Sequence, residues 1–496
     1  MDEWSPIRQV INKIRRRSDV GPAGLGATMG AEGRRSGTAI AVAPRRLPVL
    51  GHLVPLLRDP LGFMASLPAY GDIVSIGLGS VSAVVVCDLE LTRQVLLHDR
   101  IFDKGGALYD GGRELVGDGL ATCPHAKHRR QRRLLQPAFH SRRITAYAPV
   151  MVEKIAEMVD SWRDGQAVDV KTDLHTFAAR VIAATLFGQA ITEETQQRLL
   201  RDVEVVFAGN MRQAVLPVWL CRWPIIGNRA CVEAAAEARA LLSELVAARR
   251  AEGVDHGDLF SALLFAHDSA GGGQLSDEEI VDQVLTFFFA GTDTSAATLA
   301  WALILLDQHP EFTARLHTEV DTVLAGRPAG PEDLPNLQFT AQVINEVLRL
   351  RPPAWLQTRT VTEDTELGNY SLAAGTTVIY SSYLIHHRAD LYPEPERFDP
   401  DRFDPDRFDP DLTTPPSRHA MLPFATGARK CIGDQFALTE ATLALATIAA
   451  RWRLQMLPGT DVRPTLAVVP QPRQLRMHAA ARIPRPARPE GATQRV

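Results

Sequence analysis

The longest apolar stretch of the chain, residues 281–306, contains few charged side chains and predicts a long buried helix. Ser276 and Glu279 stand three residues apart just before it, which is the spacing of a capping box that opens a helix. The stretch is also long enough to cross a membrane. Asp293 in its middle and the polar flanks favour a core helix, so we expect no transmembrane segment.

Four further stretches predict helices. Residues 434–451 are apolar on nearly every face and predict a second buried helix. Residues 337–351 are amphipathic and stop at a pair of prolines, which end a helix. Residues 89–98 predict a short helix, and residues 146–250 are largely helical with an interruption at 219–227.

A smaller part of the chain has the composition of strands. Residues 72–78 and 81–88 are β-rich and separated by Gly-Ser, which predicts a hairpin. Residues 366–370 and 374–380 predict strands around turns, whereas residues 102–119 are Gly-rich and predict an irregular segment. The predicted fold class is therefore mainly α with a smaller β part.

The composition of the chain indicates which broad class of protein it belongs to. The chain has 496 residues, 45% of them hydrophobic and 23% charged, which suits a large globular core. The formal net charge of −4 gives no indication of nucleic-acid binding. The odd number of cysteines, five, predicts no disulfide framework and fits a reducing compartment. Residues 1–17 lack the apolar region of a secretory signal, so we expect a cytoplasmic protein.

The termini differ from the rest of the chain. Residues 1–43 predict a flexible N-terminal extension, in which residues 7–17 are compatible with a short basic helix. Residues 483–496 are rich in Pro and Arg and predict a disordered tail. Residues 44–482 contain no linker and predict one domain.

The strongest chemical signal is the run Phe424-Ala-Thr-Gly427-Ala-Arg429-Lys-Cys431-Ile-Gly433. Cys431 stands just before the second buried helix, where the helix dipole and free N–H groups favour a thiolate. A thiolate is an axial ligand for haem iron. Arg429 can pair with a haem propionate, and Gly433 lets backbone lie flat against a large ring. The alternative is a buried free cysteine with unrelated neighbours.

A second motif, Ala290-Gly291-Thr292-Asp293-Thr294-Ser295, lies in the middle of the long helix. Gly and Thr are poor helix formers, and a locally opened helix has free carbonyls that can hold water. The small residues Ala290 and Gly291 leave room for a diatomic molecule above a ring. Thr294 offers a hydroxyl and Asp293 a carboxylate for passing protons inward.

A basic segment, residues 128–133, has two interpretations. His128 and Arg132 are four residues apart and share one helix face, so they can act together. A charged run of this kind is otherwise a solvated helix face. Cys123, His125 and His128 suggest a metal site, but a fourth ligand at suitable spacing is missing.

These motifs, in this order, resemble the cytochrome P-450 family of haem-thiolate monooxygenases. The resemblance covers residues 44–482 and implies a single haem-binding domain with a long central helix. It implies haem b as cofactor, with Cys431 as the axial thiolate. The implied haem-binding residues are Cys431, Arg429, His128, Arg132, Phe424, Gly433, Ala290 and Gly291.

The resemblance also implies a support for the cysteine loop. Glu346 and Arg349, which are three residues apart, meet an arginine from a later Pro-rich segment in this family. Here that segment contains a tandem repeat, Arg-Phe-Asp-Pro-Asp, within residues 397–411. Counting forward from the preceding Tyr-Pro-Glu indicates Arg402, which we favour, and counting back from the cysteine loop indicates Arg407.

The implied reaction converts substrate, O2, two electrons and two protons into hydroxylated product and water, with Thr294 and Asp293 guiding protons. The pocket residues implied by family position are mostly apolar and favour a hydrocarbon-like substrate. They are Phe288, Ala290, Thr294, Ala354, Trp355 and Leu356. Residues 102–110, 128–140 and 351–355 look like bacterial members that oxidise sesquiterpenes, of the pentalenene oxygenase kind. Hydroxylation of a fatty acid, steroid or polyketide is the alternative, and a thiolate-haem protein that only binds a ligand is the non-enzyme alternative.

Electrons are expected from a separate protein, a ferredoxin with its ferredoxin reductase, because the sequence has no room for a flavin domain after Cys431. Four residues near the cysteine loop predict a basic face that steers an acidic partner. They are Arg129, Arg130, Arg133 and Lys430. Ordinary surface charge is the alternative.

Overall fold

The computed structural model describes residues 38–48, 50–78, 81–188, 191–215, 228–268, 271, 273–404, 418–465 and 468–482. Helices dominate this part of the chain. They are α1 (Leu53–Arg58), α2 (Pro60–Ser66), α3 (Leu89–Leu97), α4 (Ala107–Val116), α5 (His125–Leu135), α6 (Ser141–Ser161), α7 (Val170–Phe187), α8 (Glu193–Val215), α9 (Asn228–Glu252), α10 (Leu259–Leu264), α11 (Asp277–Gln308), α12 (Pro310–Leu324), α13 (Gln338–Leu350), α14 (Ser382–His386) and α15 (Asp434–Arg451).

Short strands make up the smaller part of the fold. They are β1 (Ala41–Val42), β2 (Ile73–Leu78), β3 (Val81–Val86), β4 (Phe102–Asp103), β5 (Gln166–Asp169), β6 (His267–Asp268), β7 (Gly273–Gln274), β8 (Gln357–Val361), β9 (Thr365–Leu367), β10 (Tyr370–Leu372), β11 (Thr377–Tyr380), β12 (Trp452–Met456) and β13 (Arg476–Ala481). The predicted fold class, mainly α with a smaller β part, is confirmed.

The central helix α11 has 32 residues and begins at the predicted capping box. The N–H of Glu279 donates to the Ser276 hydroxyl at 3.1 Å, and the N–H of Ser276 donates to the Glu279 carboxylate at 2.9 Å. Among the described residues, α11 is the one helix long and apolar enough to cross a membrane, and 72% of its most apolar window is buried inside the protein. Its apolar surface is therefore covered by other helices.

Helices α7, α9, α13 and α15 pack against α11, and α6 packs against α7 and α15, so that together they form the larger hydrophobic core. Helix α15 is buried from Ala441 to Ala446 without a break, as expected for a helix that is apolar on nearly every face. A three-stranded antiparallel sheet, β12-β13-β5, closes this core at one end. Trp452 of β12 contributes to the core and contacts Trp162 edge to face.

A six-stranded sheet, in the order β1-β2-β3-β11-β8-β4, has its own smaller core. Strands β2 and β3 pair antiparallel with Leu78 opposite Val81, which confirms the predicted hairpin strands. The turn at 79–80 lies outside the described residues. Strand β11 pairs parallel with β3 and antiparallel with β8, so the predicted strand at 374–380 lies in the middle of this sheet.

The prediction that residues 102–119 are irregular was wrong, because they contain β4 and helix α4. Tertiary contacts override the two glycines within α4. The guanidinium of Arg113 pairs with Asp110 at 2.9 Å and donates to the carbonyls of Thr122 and Lys104 at 2.7 and 2.6 Å. These bonds tie the helix to the loops on either side of it.

The predicted domain limits lie only partly within the described residues. Strand β1 at Ala41–Val42 pairs with β2, so ordered structure reaches into the last residues of the predicted extension. Residues 1–37, the interruption at 219–227 and the tail at 483–496 lie outside the described residues, as does Arg407. Their interpretations stay predictions.

Candidate functional site

The cysteine loop turns back on itself directly before α15. The N–H of Cys431 donates to the carbonyl oxygen of Phe424 at 2.9 Å, which closes the turn. Gly427 has φ +74°, and a Cβ at this position would lie 2.6 Å from the carbonyl oxygen of Leu96. The turn therefore requires glycine both for its backbone conformation and for its close approach to α3.

Cys431 lines an internal cavity, and its side chain is exposed to that space. Burial raises the pKa of its thiol above the usual value, while the backbone N–H of Gly433 and the charge of Arg132 act in the opposite direction. The helix start alone was expected to favour a thiolate. Burial and the N–H groups therefore act in opposite directions on the charge of this sulfur.

The cavity has a volume of about 350 Å³ and lies between the cysteine loop and α11. The ionisable side chains at the charged part of its wall are all basic, and no described carboxylate lines the cavity. These residues are Lys104, His128, Arg132, Arg359, Arg429 and Lys430. Such a wall fits a ligand that carries negative charge at one edge.

Arg429 lines this cavity, but its guanidinium is also held by the protein. It lies 2.8 Å from a carboxylate oxygen of Asp103 and 3.3 Å from one of Asp99, and it donates to the carbonyl oxygen of Cys123 at 2.9 Å. A guanidinium has five N–H groups, so these partners leave donors for a further anion. Its pairing with a haem propionate stays a prediction.

His128 and Arg132 both line the cavity from α5, as their spacing indicated. Burial, with the nearby charges of Arg429 and Lys104, lowers the pKa of His128 to about 3. The imidazole is therefore neutral and acts as a hydrogen-bonding group rather than as a charge. Arg132 donates to the carbonyl oxygen of Lys430 at 2.5 Å, which fixes α5 against the cysteine loop.

Two cationic residues of this wall, Lys104 and Arg359, were not predicted from the sequence. Burial and the charges of Arg359 and Arg429 lower the pKa of Lys104 to about 7. Arg359 is 2% exposed in the middle of β8, and its Nε has no hydrogen-bond partner among the described residues. The sequence did offer a signal for Arg359, because an arginine within a short buried strand requires an anionic partner.

The motif of the central helix is divided between the cavity and the outside. Ala290, Gly291 and Thr294 line the cavity, whereas Asp293 does not. The expected local opening of the helix is absent, because α11 is continuous through this motif. The hydroxyl of Thr294 instead donates to the carbonyl oxygen of Ala290 at 2.5 Å.

Of the other predicted pocket residues, Ala354 lines the cavity, and Phe288, Trp355 and Leu356 do not. Phe288 is fully buried and packs near Phe187, because each helical position turns by about 100° and its neighbours face the cavity instead. Trp355 and Leu356 belong to the core of the six-stranded sheet. The prediction placed these three side chains incorrectly.

Glu346 and Arg349 form a fully buried ion pair on α13, with 2.7 Å between Nε and the carboxylate. Arg402 lies 3.5 Å from the same carboxylate and donates to the carbonyl oxygen of Glu394 at 3.0 Å. Arg349 also donates to the carbonyl of Pro395 at 2.8 Å. The three residues thus tie α13 to the Pro-rich segment, and Arg402 is the arginine that the structure brings to this pair.

The suggested metal site has no support in the structure. Within the described ranges, no group of three His, Cys, Asp or Glu side chains is arranged to hold a metal ion. Cys123 is fully buried, with its sulfur 3.8 Å from the Arg429 guanidinium. His125 lies 3.1 Å from the Asp99 carboxylate.

These residues fit a haem. Cys431 can supply the axial sulfur, Gly433 and Ala290 leave space for a flat ring, and the basic wall suits two propionates. The unpaired Nε of Arg359 supports this fit, because a buried guanidinium without an anion is costly.

The comparisons with known proteins agree with this geometry. The family model for cytochrome P450 matches residues 42–477. The chain belongs to the cytochrome P-450 family. It is 45% identical over 443 residues to pentalenene oxygenase of Streptomyces avermitilis, covering 89% of this chain and 97% of that one.

Two further relatives of this P-450 come from Streptomyces melanosporofaciens. Cyclooctat-9-en-7-ol 5-monooxygenase is 43% identical, covering 85% of this chain and 90% of that one. Cyclooctatin synthase is 42% identical, covering 87% and 95%. A solved cytochrome P-450 haem domain superimposes with a TM-score of 0.80 at 26% identity, covering 91% of this chain and 99% of that one. The protein is a cytochrome P-450 monooxygenase that requires haem, dioxygen and a source of electrons, and it resembles terpene-oxidising bacterial members.

Proposed function

We propose that this P-450 oxidises a terpene hydrocarbon of sesquiterpene size. The observation that carries the proposal is the uncharged wall of the cavity, to which α4, α11 and the C-terminal loop all contribute. It includes Val116, Leu120, Phe287, Ala354 and Val469. Burying an apolar ligand against such a wall requires no charged partner. The three Streptomyces relatives, whose names refer to pentalenene and to cyclooctatin compounds, support a terpene substrate, and the pentalenene relative supports the sesquiterpene size.

In this proposal, haem b is held through Cys431 and supplies the iron chemistry that activates dioxygen. Its propionates would be held by basic residues of the cavity wall, which are Arg359, Arg429, His128, Arg132 and Lys104. Cys431→Ser is then expected to abolish the haem-thiolate absorption spectrum, and the pyridine adduct of the extracted haem is expected to identify haem b.

The protein groups of the reaction are Thr294 and Asp293. Thr294 lines the cavity beside the small residues Ala290 and Gly291, so its hydroxyl lies where dioxygen would be accommodated. Asp293, the preceding residue, lies about 100° around the helix from Thr294, outside the cavity lining and partly exposed to solvent. We infer that Asp293 holds protons that enter the cavity at the Thr294 hydroxyl.

We propose a ferredoxin with its reductase as the electron source and the cytoplasm as the location. The basic face contributes less charge than its sequence suggested, because three of its four residues have intramolecular partners. Arg130 pairs with Glu279 at 2.6 Å, Arg133 with Asp268 at 2.8 Å, and Lys430 with Asp434 at 2.6 Å. Arg129 is exposed and is the residue we expect an acidic partner to contact.

The deciding experiment reconstitutes the haem-loaded protein with a surrogate ferredoxin and reductase. It is then incubated with sesquiterpene hydrocarbons, diterpene alcohols and fatty acids, and products are identified by gas chromatography with mass detection. An oxygenated sesquiterpene supports the proposal. Fatty-acid products alone would contradict the terpene assignment, and binding spectra without any product would favour a ligand-binding haem protein.

A further inference from the structure

The carboxylate of Asp293 is held by side chains from two other elements. The Nε2 atom of His175, on α7, lies 3.1 Å from its Oδ1. The side-chain amide of Gln471, in the loop before β13, donates to the same Oδ1 at 3.2 Å. His175 and Asp293 are each 27% exposed, so this contact connects the central helix to solvent on the side away from the cavity.

Helix α7 brings His175 to this position through close packing against α11. His175 and Ile182 are seven residues apart and lie on one face of α7. A Cβ on Gly291 would lie 3.2 Å from the Ile182 side chain, so the two helices approach closely at that glycine. The distance between α7 and the motif of α11 is therefore fixed by packing, and His175 reaches Asp293 as a consequence.

Gln471 is held by independent contacts. The N–H of Thr465 donates to the Gln471 carbonyl at 2.8 Å, and the indole of Trp301 donates to the Pro470 carbonyl at 2.9 Å. Trp301 belongs to α11, so the loop is attached to the helix whose carboxylate it contacts. Val469 of the same loop lines the cavity.

We propose that His175 and Gln471 are positioning residues that hold the Asp293 carboxylate on the solvent side of the central helix for proton supply to Thr294. The inference rests on the proposed role of Asp293. Two donors from separate elements on one carboxylate oxygen restrict its rotation more than one surface contact does. Without them, the Asp293 side chain loses its defined position, and electrons are lost from the reaction without product.

Coupling of electrons to product tests the inference. In the haem-loaded protein with a surrogate ferredoxin pair, His175→Leu and Gln471→Leu should each lower product per NADH by about threefold or more. His175→Gln restores a side-chain donor and should retain most of the coupling. Thr176→Leu, at the next and exposed position of α7, is the matched control and should match the unsubstituted protein. The assay uses the best product-forming substrate from the panel.

Thermal unfolding of the same haem-loaded proteins provides a readout that does not depend on activity. In the double variant His175→Leu/Asp293→Asn, the shift in Tm should fall short of the sum of the two single shifts by about 1 °C or more, because both changes weaken the same contact. Additive shifts, or equal coupling in the His175→Leu and control proteins, would overturn the inference. If Asp293→Asn itself keeps full coupling, the proposed role of Asp293 is wrong, and the inference that depends on it is overturned as well.

Discussion

The imidazole of His386 accepts a hydrogen bond from the backbone N–H of Leu422, with 2.9 Å between Nε2 and N. Because Nε2 accepts, Nδ1 carries the proton, and it lies 3.1 Å from the carbonyl oxygen of Arg349. Burial lowers the pKa of His386 to about 3, so the ring is neutral at physiological pH. His386 therefore joins the buried Glu346–Arg349 pair to the segment that leads into the cysteine loop.

Replacing His386 by Phe should destabilise the protein and its cysteine loop. The change leaves the Leu422 N–H and the Arg349 carbonyl without their partner in a buried place, which costs about 1–3 kcal/mol for each unsatisfied group. We expect a lower denaturation midpoint in urea and faster loss of haem absorbance. His267→Phe, at an exposed histidine of β6, is the control. An unchanged midpoint would show that the cysteine loop does not depend on this bond.

Glu440 is a second buried group that connects elements of the site. It is 1% exposed on α15, and one carboxyl oxygen accepts from the Ser295 hydroxyl of α11 at 2.5 Å. Its other oxygen has no hydrogen-bond partner among the described residues. Burial raises the pKa of Glu440 to about 8, so the folded protein retains a proton that the unfolded chain loses above its own, lower pKa.

Glu440→Gln should therefore change how stability depends on pH. Because the folded state binds more protons between the usual glutamate pKa and about 8, this group makes the free energy of unfolding fall by about 1.4 kcal/mol per pH unit in that window. The amide has no such dependence, so the variant should gain relative stability from pH 6 to pH 8. Urea denaturation at several pH values measures this difference. Parallel stability curves for the two proteins would contradict it.

How much the sequence could predict depends on the distance along the chain between interacting residues. The turn from Phe424 to Gly433 and the capping box at Ser276 are local, so spacing alone identified them. Lys104, Arg359 and His386 were missed because each acts across contacts between distant elements. Phe288 was placed in the wrong environment because an apolar helix has no polar face to indicate its rotation about its axis.

Thr294→Ala should separate electron consumption from product formation. Thr294 lines the cavity, and the change removes the hydroxyl that we propose as the proton carrier while leaving the apolar wall intact. General acid groups contribute about 10²–10⁴-fold in enzymes, so we expect product per NADH to fall by about tenfold or more. Thr294→Ser keeps the hydroxyl and is the control. Unchanged coupling in the alanine variant would remove Thr294 from the proton path.

The surroundings of Arg359 lead to a prediction about haem retention. Its guanidinium donates to the Thr358 carbonyl at 2.8 Å and to the Tyr380 hydroxyl at 3.2 Å, and no described carboxylate pairs with it. Burial raises the pKa of Tyr380 to about 12, so the phenol stays neutral and does not balance the charge. A buried charge without a counter-ion costs several kcal/mol, and a bound propionate would remove that cost.

Arg359→Gln should therefore make the protein without haem more stable and haem binding weaker. We expect haem transfer to an apoprotein acceptor to become about tenfold faster or more, since hydrogen bonds to charged groups contribute about 1.5–3 kcal/mol. Arg453→Gln, at an exposed arginine of strand β12, controls for loss of positive charge. If the Arg359 variant, but not the control, gains apoprotein stability and loses haem affinity, the charge of Arg359 serves to bind the haem propionates. If apoprotein stability and haem affinity both fell, Arg359 would be shown to stabilise the fold. Its hydrogen bonds to Thr358 and Tyr380 would then outweigh the cost of its unbalanced charge.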